Sequence, residues 1–268
     1  MKVAAVVADL DGTLVRSDFS MSPATLEALE TVHSAGIPMV VATARTPPGV
    51  EFLLGTTDTI DLAVCCSGAL GWSRGARSRL WIEMIAPATI RFVVDTALAH
   101  SAGVAGYDGE LWRMTAEYDR LSPDQPRGPV RVGVEPDELA ASPCCTMALR
   151  HAGGSIRHLA EVMSAPTQTA ALSHVGRATV LDITGAGVDK GTGVLRALAS
   201  LGVPPELAVG FGDMPNDLPI FRVTGRAYAV GTADPAVVAA ADEVLPDVEH
   251  DGFALKVAEL ASRGWIAA

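Results

Sequence analysis

The sequence predicts an α/β protein in which a parallel β-sheet core is interrupted by an inserted α+β domain. Short apolar runs alternate with amphipathic helical patterns over residues 1–85, and the same alternation returns over residues 185–268. Such alternation is typical of a parallel sheet with helices on its faces. Residues 86–184 instead combine scattered short strands with two helices. We therefore expect one core domain built from both terminal segments and a second domain built from residues 86–184.

The first core segment contains three predicted strands. Val3–Ala8 is a run of β-branched residues and alanines, which is typical of a strand buried on both faces. Ser22 and Pro23 predict a helix N-terminus, because Ser caps helices and Pro is favoured at their first position. Gly36 predicts the end of that helix. Two further strands and a short helix between them follow in the order Pro38–Ala42, Val50–Leu54 and Leu62–Cys66.

The inserted segment and the last core segment are assigned in the same way. The insertion carries two predicted helices, Ala88–Ala99 and Ile156–Met163. Its predicted strands are Val104–Tyr107, Leu111–Met114, Thr146–Arg150, Ala170–His174 and Thr179–Ile183. In the last segment the predicted strands are Leu207–Phe211 and Ala227–Val230. Its predicted helices are Gly193–Leu201, Leu218–Phe221, Pro235–Ala240 and Phe253–Ala261.

The composition is that of a compact globular protein. Of the 268 residues 49% are hydrophobic and 19% are charged, so the chain can bury a sizeable core. The net charge of −11 argues against nucleic acid and anionic membrane surfaces, which attract clustered Lys and Arg. No apolar run approaches the ~20 residues of a membrane span, and the first run stops at Asp9, too early for a signal peptide. We expect a cytoplasmic protein with no nucleic-acid or membrane partner, either a monomer or a small homo-oligomer.

Polar or glycine-containing segments follow four of the predicted core strands. They begin at Asp9, Thr43, Ser67 and Gly212. Open parallel sheets bind ligands at the carboxyl ends of their strands. We therefore expect four carboxylates to meet at one rim of the sheet: Asp9, Asp11, Asp213 and Asp217.

This carboxylate cluster predicts a metal site. Crowded carboxylates are unfavourable unless a cation offsets their charge or one of them holds a proton. Mg²⁺ prefers oxygen ligands and binds through one or two carboxylates together with water and substrate phosphate. Any single Asp here is better explained as a turn or helix-cap residue, but two Asp-rich segments after buried strands favour a site. The cluster therefore predicts bound Mg²⁺ and an anionic substrate.

Lys190 is an unusual choice of cation in this chain. Lys occurs only at positions 2, 190 and 256, and the other 17 of the 20 basic residues are Arg. One interpretation of Lys190 is an exposed charge near a helix start. A positive charge is unfavourable at that end of a helix, whereas a compact ammonium group facing a phosphate would explain the choice.

The order of these segments resembles the motifs of the haloacid dehalogenase-like (HAD) hydrolases. Asp9-Leu10-Asp11-Gly12-Thr13-Leu14 resembles their first motif, and Gly212-Asp213-Met214-Pro215-Asn216-Asp217 resembles the fourth in its Cof-type form. Thr43 matches the second motif and Lys190 the third. The resemblance spans essentially the whole chain and includes Asp251-Gly252-Phe253-Ala254. It implies a Rossmann-like parallel-sheet core with an α/β cap domain over residues 86–184, at the type-IIB position.

The resemblance also implies a mechanism and a set of site residues. Asp9 would attack phosphorus to form an aspartyl-phosphate, and Asp11 would protonate the leaving oxygen and then activate water. Asp11 must then be protonated while Asp9 is ionised. The Mg²⁺ ligands would be Asp9, the backbone carbonyl of Asp11, and Asp213. The phosphate would be bound by Thr43, Lys190 and Gly12, with Asn216 and Asp217 supporting the metal or orienting Lys190.

Two positions depart from the usual family pattern. Ala44 replaces a common Gly in the second motif, which a negative φ would accommodate. Ser67 replaces a common Asn after the third strand, and its shorter side chain can donate one hydrogen bond. Ser67 and Arg45 are candidate substrate contacts, although Arg45 is explained equally well as a cap on the sheet edge.

The favoured interpretation is a Mg²⁺-dependent phosphatase acting on a small phosphorylated metabolite, and the resemblance favours a phosphosugar. A phosphohexomutase of the same superfamily is an alternative, because it would return the phosphoryl group to the sugar. A non-catalytic phosphometabolite-binding protein is an alternative from another class. Isomer formation from a sugar monophosphate would identify the mutase, and tight binding without phosphate release would identify the binding protein.

Overall fold

The computed structural model describes residues 2–55, 57–122, 128–152, 156–164, 168–175, 178–231 and 234–266. Over these ranges the chain forms an eight-stranded and a six-stranded β-sheet. The strands are β1 (Ala5–Ala8), β2 (Met39–Ala42), β3 (Leu62–Cys65), β4 (Leu70–Ser73), β5 (Ser78–Ile82), β6 (Gly103–Tyr107), β7 (Trp112–Met114), β8 (Val130–Val132), β9 (Thr146–Arg150), β10 (Gln168–Val175), β11 (Ala178–Gly185), β12 (Ala208–Gly212), β13 (Arg226–Val230) and β14 (Glu243–Leu245). The α-helices are α1 (Pro23–Ser34), α2 (Pro47–Leu54), α3 (Pro87–Ala99), α4 (Ala116–Arg120), α5 (Pro136–Ala141), α6 (Ile156–Val162), α7 (Lys190–Ser200), α8 (Leu218–Val223), α9 (Pro235–Ala240) and α10 (Gly252–Ser262).

The eight-stranded sheet has the order β14-β13-β12-β1-β2-β3-β4-β5. All neighbours from β14 to β3 pair in parallel. β1 lies inside the sheet, where Ala8 pairs with Phe211 of β12 and with Val41 of β2. The hydrophobic residues of α1, α2 and α10 pack on one face, and those of α7, α8 and α9 pack on the other. The predicted α/β fold with a parallel-sheet core is confirmed.

The edge of this sheet carries a hairpin that the sequence pattern did not predict. β4 pairs antiparallel with β3, and β5 pairs antiparallel with β4. Trp81 of β5 lies against Gly71, whose position leaves no room for a Cβ atom, and its indole N–H donates to the carbonyl of Gly68 (3.2 Å). The hairpin is therefore fixed to the turn that follows β3.

The six-stranded sheet has the order β10-β11-β9-β6-β7-β8 and is formed entirely by residues between β5 and α7. The helices α3, α5 and α6 pack on one of its faces through a separate hydrophobic core. On the other side, β10 contacts the turn 215–217 and β11 contacts the turn 66–68. These contacts bring the inserted sheet to the carboxyl edge of the first sheet.

Within the described ranges, no helix combines the length and apolar character needed to cross a membrane. The four cysteines are buried free thiols.

Candidate active site

The carboxyl ends of β1 and β12 place two acidic segments side by side. Asp9 directly follows β1, is buried, and donates its backbone N–H to the carbonyl of Phe211 (3.0 Å). Thr43 directly follows β2 and is also buried. A narrow cavity of about 10 Å³ is lined by Asp9, Asp11, Thr43 and Lys190. Side chains from three separate segments of the sequence therefore meet at one edge of the sheet.

Lys190 lies between two carboxylates at the centre of this cluster. Its Nζ is 2.8 Å from Asp9 Oδ1 and 2.7 Å from Asp217 Oδ1, and its side chain is 1% exposed. Burial alone would lower the pKa of Lys190, but the charges of Asp217 and Asp9 raise it above its ordinary value. Burial raises the pKa of Asp9 to about 7, although the Lys190 charge opposes this rise. The lysine therefore acts as a fixed cation that orients Asp9 and favours its ionised form.

The position of Lys190 follows from the start of α7. Asp189 caps this helix through a reciprocal pair of hydrogen bonds with Thr192. Gly68, at φ +106°, lies so close to the helix start that a Cβ there would be 2.0 Å from the carbonyl oxygen of Asp189. Gly193 likewise leaves room for Val64. These close backbone approaches hold the first turn of α7 against the end of β3.

Asp217 orients the lysine and its own loop. Its Oδ1 accepts from Lys190, and its Oδ2 accepts from the backbone N–H groups of Asp213 and Met214 (both 3.0 Å). The side chain is fully buried. Because both carboxylate oxygens are occupied, Asp217 fixes the loop that carries Asp213.

Asp213 faces the first motif across a position that requires glycine. Gly12 has φ +88°, and a Cβ atom there would lie 2.4 Å from Asp213 Oδ2. Thr13 donates its hydroxyl to Asp213 Oδ1 (3.1 Å). Burial and the neighbouring charges of Asp217 and Asp9 raise the pKa of Asp213 well above its ordinary value. The structure thus brings Gly12 beside Asp213 and gives it the role of making space for that carboxylate.

The carboxylates of this cluster fit a divalent cation. Single ligand oxygens of Asp9, Asp213 and Asp217 lie within 4.8 Å of one another. Burial of three carboxylates around one lysine leaves excess negative charge, and hard oxygen donors are the ligands that Mg²⁺ prefers. Since Asp217 is already occupied, Asp9 and Asp213 are the side chains with an oxygen to offer. The side chain of Asp11 does not belong to this group.

Asp11 is instead held by Arg45. Arg45 Nε donates to Asp11 Oδ2 (2.7 Å) and Nη2 donates to Asp11 Oδ1 (2.6 Å), which is the bidentate geometry of strong guanidinium–carboxylate pairs. Both side chains are largely buried, and the guanidinium also stacks over the Phe19 ring at 5.2 Å. Arg45 was predicted either to contact substrate or to cap the sheet edge, and its pairing with Asp11 was not predicted.

Three further predicted residues present polar atoms near the cluster. Thr43 Oγ1 accepts the backbone N–H of Arg45 (3.1 Å). Within the described part of the chain, the buried atoms Ser67 Oγ and Asn216 Oδ1 have no hydrogen-bond partner. Asn216 lines the narrow cavity with Asp9, and Ser67 lines a larger one beside it. Buried polar atoms without partners are rare in folded proteins, so both positions are suited to contact a ligand.

The sequence motifs identified no site residue in the six-stranded sheet, but the structure brings two of its residues to the site. Ser173 of β10 lines the narrow cavity, and Asp182 of β11 lines the larger one. The Ser173 hydroxyl donates to Asp182 Oδ2. Burial raises the pKa of Asp182 to about 6, and the hydrogen bond from Ser173 opposes this rise. The available sequence signal was the single acid inside the apolar run 179–183.

The fold and this site define an α/β enzyme with a carboxylate–lysine centre at the carboxyl edge of a parallel sheet. The model of one enzyme family, described as haloacid dehalogenase-like hydrolase, matches residues 6–257. The chain belongs to this family. The predicted family resemblance is therefore confirmed.

Relatives and solved structures of this family carry phosphatase names. The pyridoxal phosphate phosphatase YbhA of Escherichia coli is 24% identical over 95% of this chain and 97% of its own length. A phosphoglycolate phosphatase of Halorubrum lacusprofundi is 44% identical over 77 residues, which cover 29% of this chain and about a third (34%) of that relative. The structure of the HAD subclass IIB sugar phosphatase BT4131 matches with a TM-score of 0.82 at 20% identity, over 99% of this chain and 100% of that one. At this identity the structural match establishes the fold.

Proposed function

We propose that this protein hydrolyses a small phosphorylated metabolite, preferably a phosphosugar, in a Mg²⁺-dependent reaction through an aspartyl-phosphate. The observation that carries this proposal is the position of the Asp9 carboxylate. Its Oδ1 is fixed by Lys190 at 2.8 Å, while its side chain lines the cavity that Asp11 and Thr43 share. The phosphatase names of the relatives support the same reaction.

Asp9 is the nucleophile in this proposal. Lys190 favours its carboxylate form and fixes one oxygen, so the other oxygen can approach phosphorus. The ammonium group also lies where it can offset the charge of a phosphoryl group next to Asp9. Thr43, Ser67 and Asn216 offer polar atoms to the phosphate or to the group attached to it.

Asp11 is the proton donor to the leaving oxygen and then the base for water. Arg45 occupies both of its carboxylate oxygens, so a leaving group can reach Asp11 only after Arg45 shifts. An incoming phosphate is a bidentate acceptor for the same guanidinium. We therefore assign Arg45 the task of exchanging Asp11 for substrate phosphate at the start of the reaction.

Asp9, Asp213 and the backbone carbonyl of Asp11 would hold the Mg²⁺ ion. When bound, the ion supplies positive charge for the phosphate oxygens. Asp217 keeps the Asp213 loop in place through two backbone N–H groups. Thr13 orients Asp213 from the opposite side. These contacts of the chain prepare the ligand geometry before an ion enters.

We further propose that residues 86–184 act as a cap over a core formed by residues 1–85 and 185–268. Support comes from Ser173, which reaches the narrow cavity around Asp9 from β10. A cap at this position excludes bulk water from the reaction and places its own side chains next to the leaving group.

The decisive experiment compares Asp9→Asn with Asp95→Asn. Asp95 lies on α3, half-exposed in an ion pair with Arg91 (3.5 Å), so it provides a matched control. Wild type and Asp95→Asn should release phosphate from sugar phosphates with Mg²⁺ and not with EDTA. Asp9→Asn should bind the ester without releasing phosphate. Retained turnover in Asp9→Asn contradicts the nucleophile assignment, and isomer formation by the wild type would indicate a mutase instead.

A further inference from the structure

The inserted sheet contributes one buried acid to the space beside Lys190. Asp182 is 7% exposed and lines a cavity of about 210 Å³ together with Lys190, Asn216 and Ser67. Lys190 and Asn216 also line the narrow cavity around Asp9, so the two spaces adjoin. For a phosphate bound at Asp9, the larger cavity would therefore provide space for the leaving group next to Asp182.

Asp182 has one carboxylate oxygen to offer. Ser173 donates to Oδ2, while the described residues provide no donor to Oδ1 and no Lys or Arg within ion-pair distance of either oxygen. Lys190 is committed to Asp9 and Asp217. A buried carboxylate is costly without hydrogen-bond donors, and the cavity that Asp182 lines gives a ligand access to this carboxylate.

We infer that Asp182, oriented by Ser173, accepts a hydrogen bond from a hydroxyl group of the substrate and so selects hydroxyl-bearing phosphate monoesters over carboxylate-bearing ones. This inference rests on the proposed function. A hydroxyl group satisfies the unused oxygen, whereas a carboxylate in the same cavity would place two negative charges face to face. A leaving group without polar hydrogens would leave Oδ1 of Asp182 without a donor, and sites of this kind reject such substrates strongly.

A cationic side chain in the same cavity favours a neutral polyol over a cationic leaving group. Arg222 lines the same cavity and is largely exposed, and its Nη2 lies 3.9 Å from Asp189 Oδ2. The cavity thus offers the leaving group both a buried acceptor and a cationic donor. Hydroxyl groups can donate to the first and accept from the second.

The test uses two esters that differ in one group. Glycerol 3-phosphate carries a hydroxymethyl group where 3-phosphoglycerate carries a carboxylate. The kcat/KM value for glycerol 3-phosphate is divided by that for 3-phosphoglycerate. This ratio is measured in wild type, Asp182→Asn and Asp95→Asn. Asp182→Asn keeps the shape and removes the charge, so the ratio should fall about 10- to 100-fold. Ser173→Ala should lower the ratio in the same direction by a smaller factor, and Asp95→Asn should leave it unchanged.

Calorimetric binding of both esters to Asp9→Asn and to the Asp9→Asn/Asp182→Asn double variant gives a second readout that needs no turnover. A fall in the binding ratio supports the role of Asp182 even if wild type releases phosphate from no ester, sugar phosphates included, in which case the proposed function fails alone. If wild type hydrolyses phosphate esters and Asp182→Asn changes neither ratio by more than twofold, the inference about Asp182 is overturned and the phosphatase proposal is retained.

Discussion

Replacing Lys190 with methionine removes the cation that joins the proposed nucleophile to the Asp213 loop. Methionine retains most of the side-chain volume, so the change mainly removes charge. In the native protein the ammonium group contacts Asp9 at 2.8 Å and Asp217 at 2.7 Å with almost no solvent exposure. The substitution therefore leaves two buried carboxylates without their shared partner.

The expected losses are large for both stability and catalysis. Removing one partner of a buried ion pair costs about 3–5 kcal/mol, which lowers Tm by roughly 6–20 °C for a chain of this size. The pKa of Asp9 is about 7 with the lysine present. Loss of a cation this close raises a carboxylate pKa by about 1–3 units. At pH 7 the rate should therefore fall about 5- to 500-fold and partly recover at higher pH.

Lys256→Met provides a matched control. Lys256 is also buried and also contacts two carboxylates, but its partners Glu243 and Glu259 are 49% and 35% exposed. Ion pairs with exposed partners contribute about 0–1 kcal/mol each, so this variant should lose little stability. Its pH–rate profile should match that of wild type, because the pair lies outside the catalytic cluster.

The assay combines thermal denaturation with pH–rate profiles at one Mg²⁺ concentration. For Lys190→Met, the acidic limb of the profile should move to higher pH. The stability loss should shrink as the pH falls, because protonation removes the uncompensated carboxylate charges. An unshifted acidic limb, or a stability loss equal to that of Lys256→Met, would refute the role of Lys190 as the partner of Asp9.

Two further predictions concern the metal site. Burial raises the pKa of Asp9 from 3.8 to about 7, so the folded protein holds this proton more tightly than the unfolded chain. The stability of the metal-free protein should therefore fall as the pH rises from 4 to 7. Mg²⁺ should then raise Tm more at pH 8 than at pH 5, and an equal or larger shift at pH 5 contradicts this. Gly12→Ala should raise the Mg²⁺ concentration for half-maximal activity, because its Cβ would meet Asp213 Oδ2 at 2.4 Å. Gly36→Ala shares the positive φ (+67°) but has open space around it, so a similar Mg²⁺ response in both variants would argue against the clash.

The parallel core was predictable because its sequence signals are local. Buried strands such as β1 and β12 are continuous apolar runs that end abruptly in Asp-rich segments. The cap of α1 was visible in Ser22 and Pro23, and the structure shows Ser22 accepting from the N–H of Thr25 (3.0 Å). Strand ends and helix caps depend on a few neighbouring residues, which explains why they could be located without a structure.

The elements that escaped prediction are short, lack a clear pattern or depend on distant contacts. β5 is half-exposed and has no clear alternation, and it is held by the packing of Trp81 on Gly71. α4 and α5 span only 116–120 and 136–141, too short for a periodic pattern. The helix of Lys190 begins three residues before the predicted start, at a capping box formed by Asp189 and Thr192.

The same distinction applies to the candidate site. The motif residues were named from sequence, and their roles stay predictions. The pairing of Arg45 with Asp11 and the approach of Asp182 to Lys190 could not be read from spacing. Each joins segments from different strands, and only the register of the sheets and the docking of the inserted sheet bring them together.

The pairing of β1 has a consequence for how the chain folds during synthesis. Ala5 of β1 pairs with Ala208 of β12. β1, which directly precedes Asp9, therefore obtains one of its two neighbouring strands only after the ribosome has made most of the chain. The inserted sheet is built from antiparallel neighbours closer in sequence and can form earlier. Until β12 arrives, β1 has an open hydrogen-bonding edge, a feature that favours aggregation. The candidate site can therefore be completed only after β12 has been made.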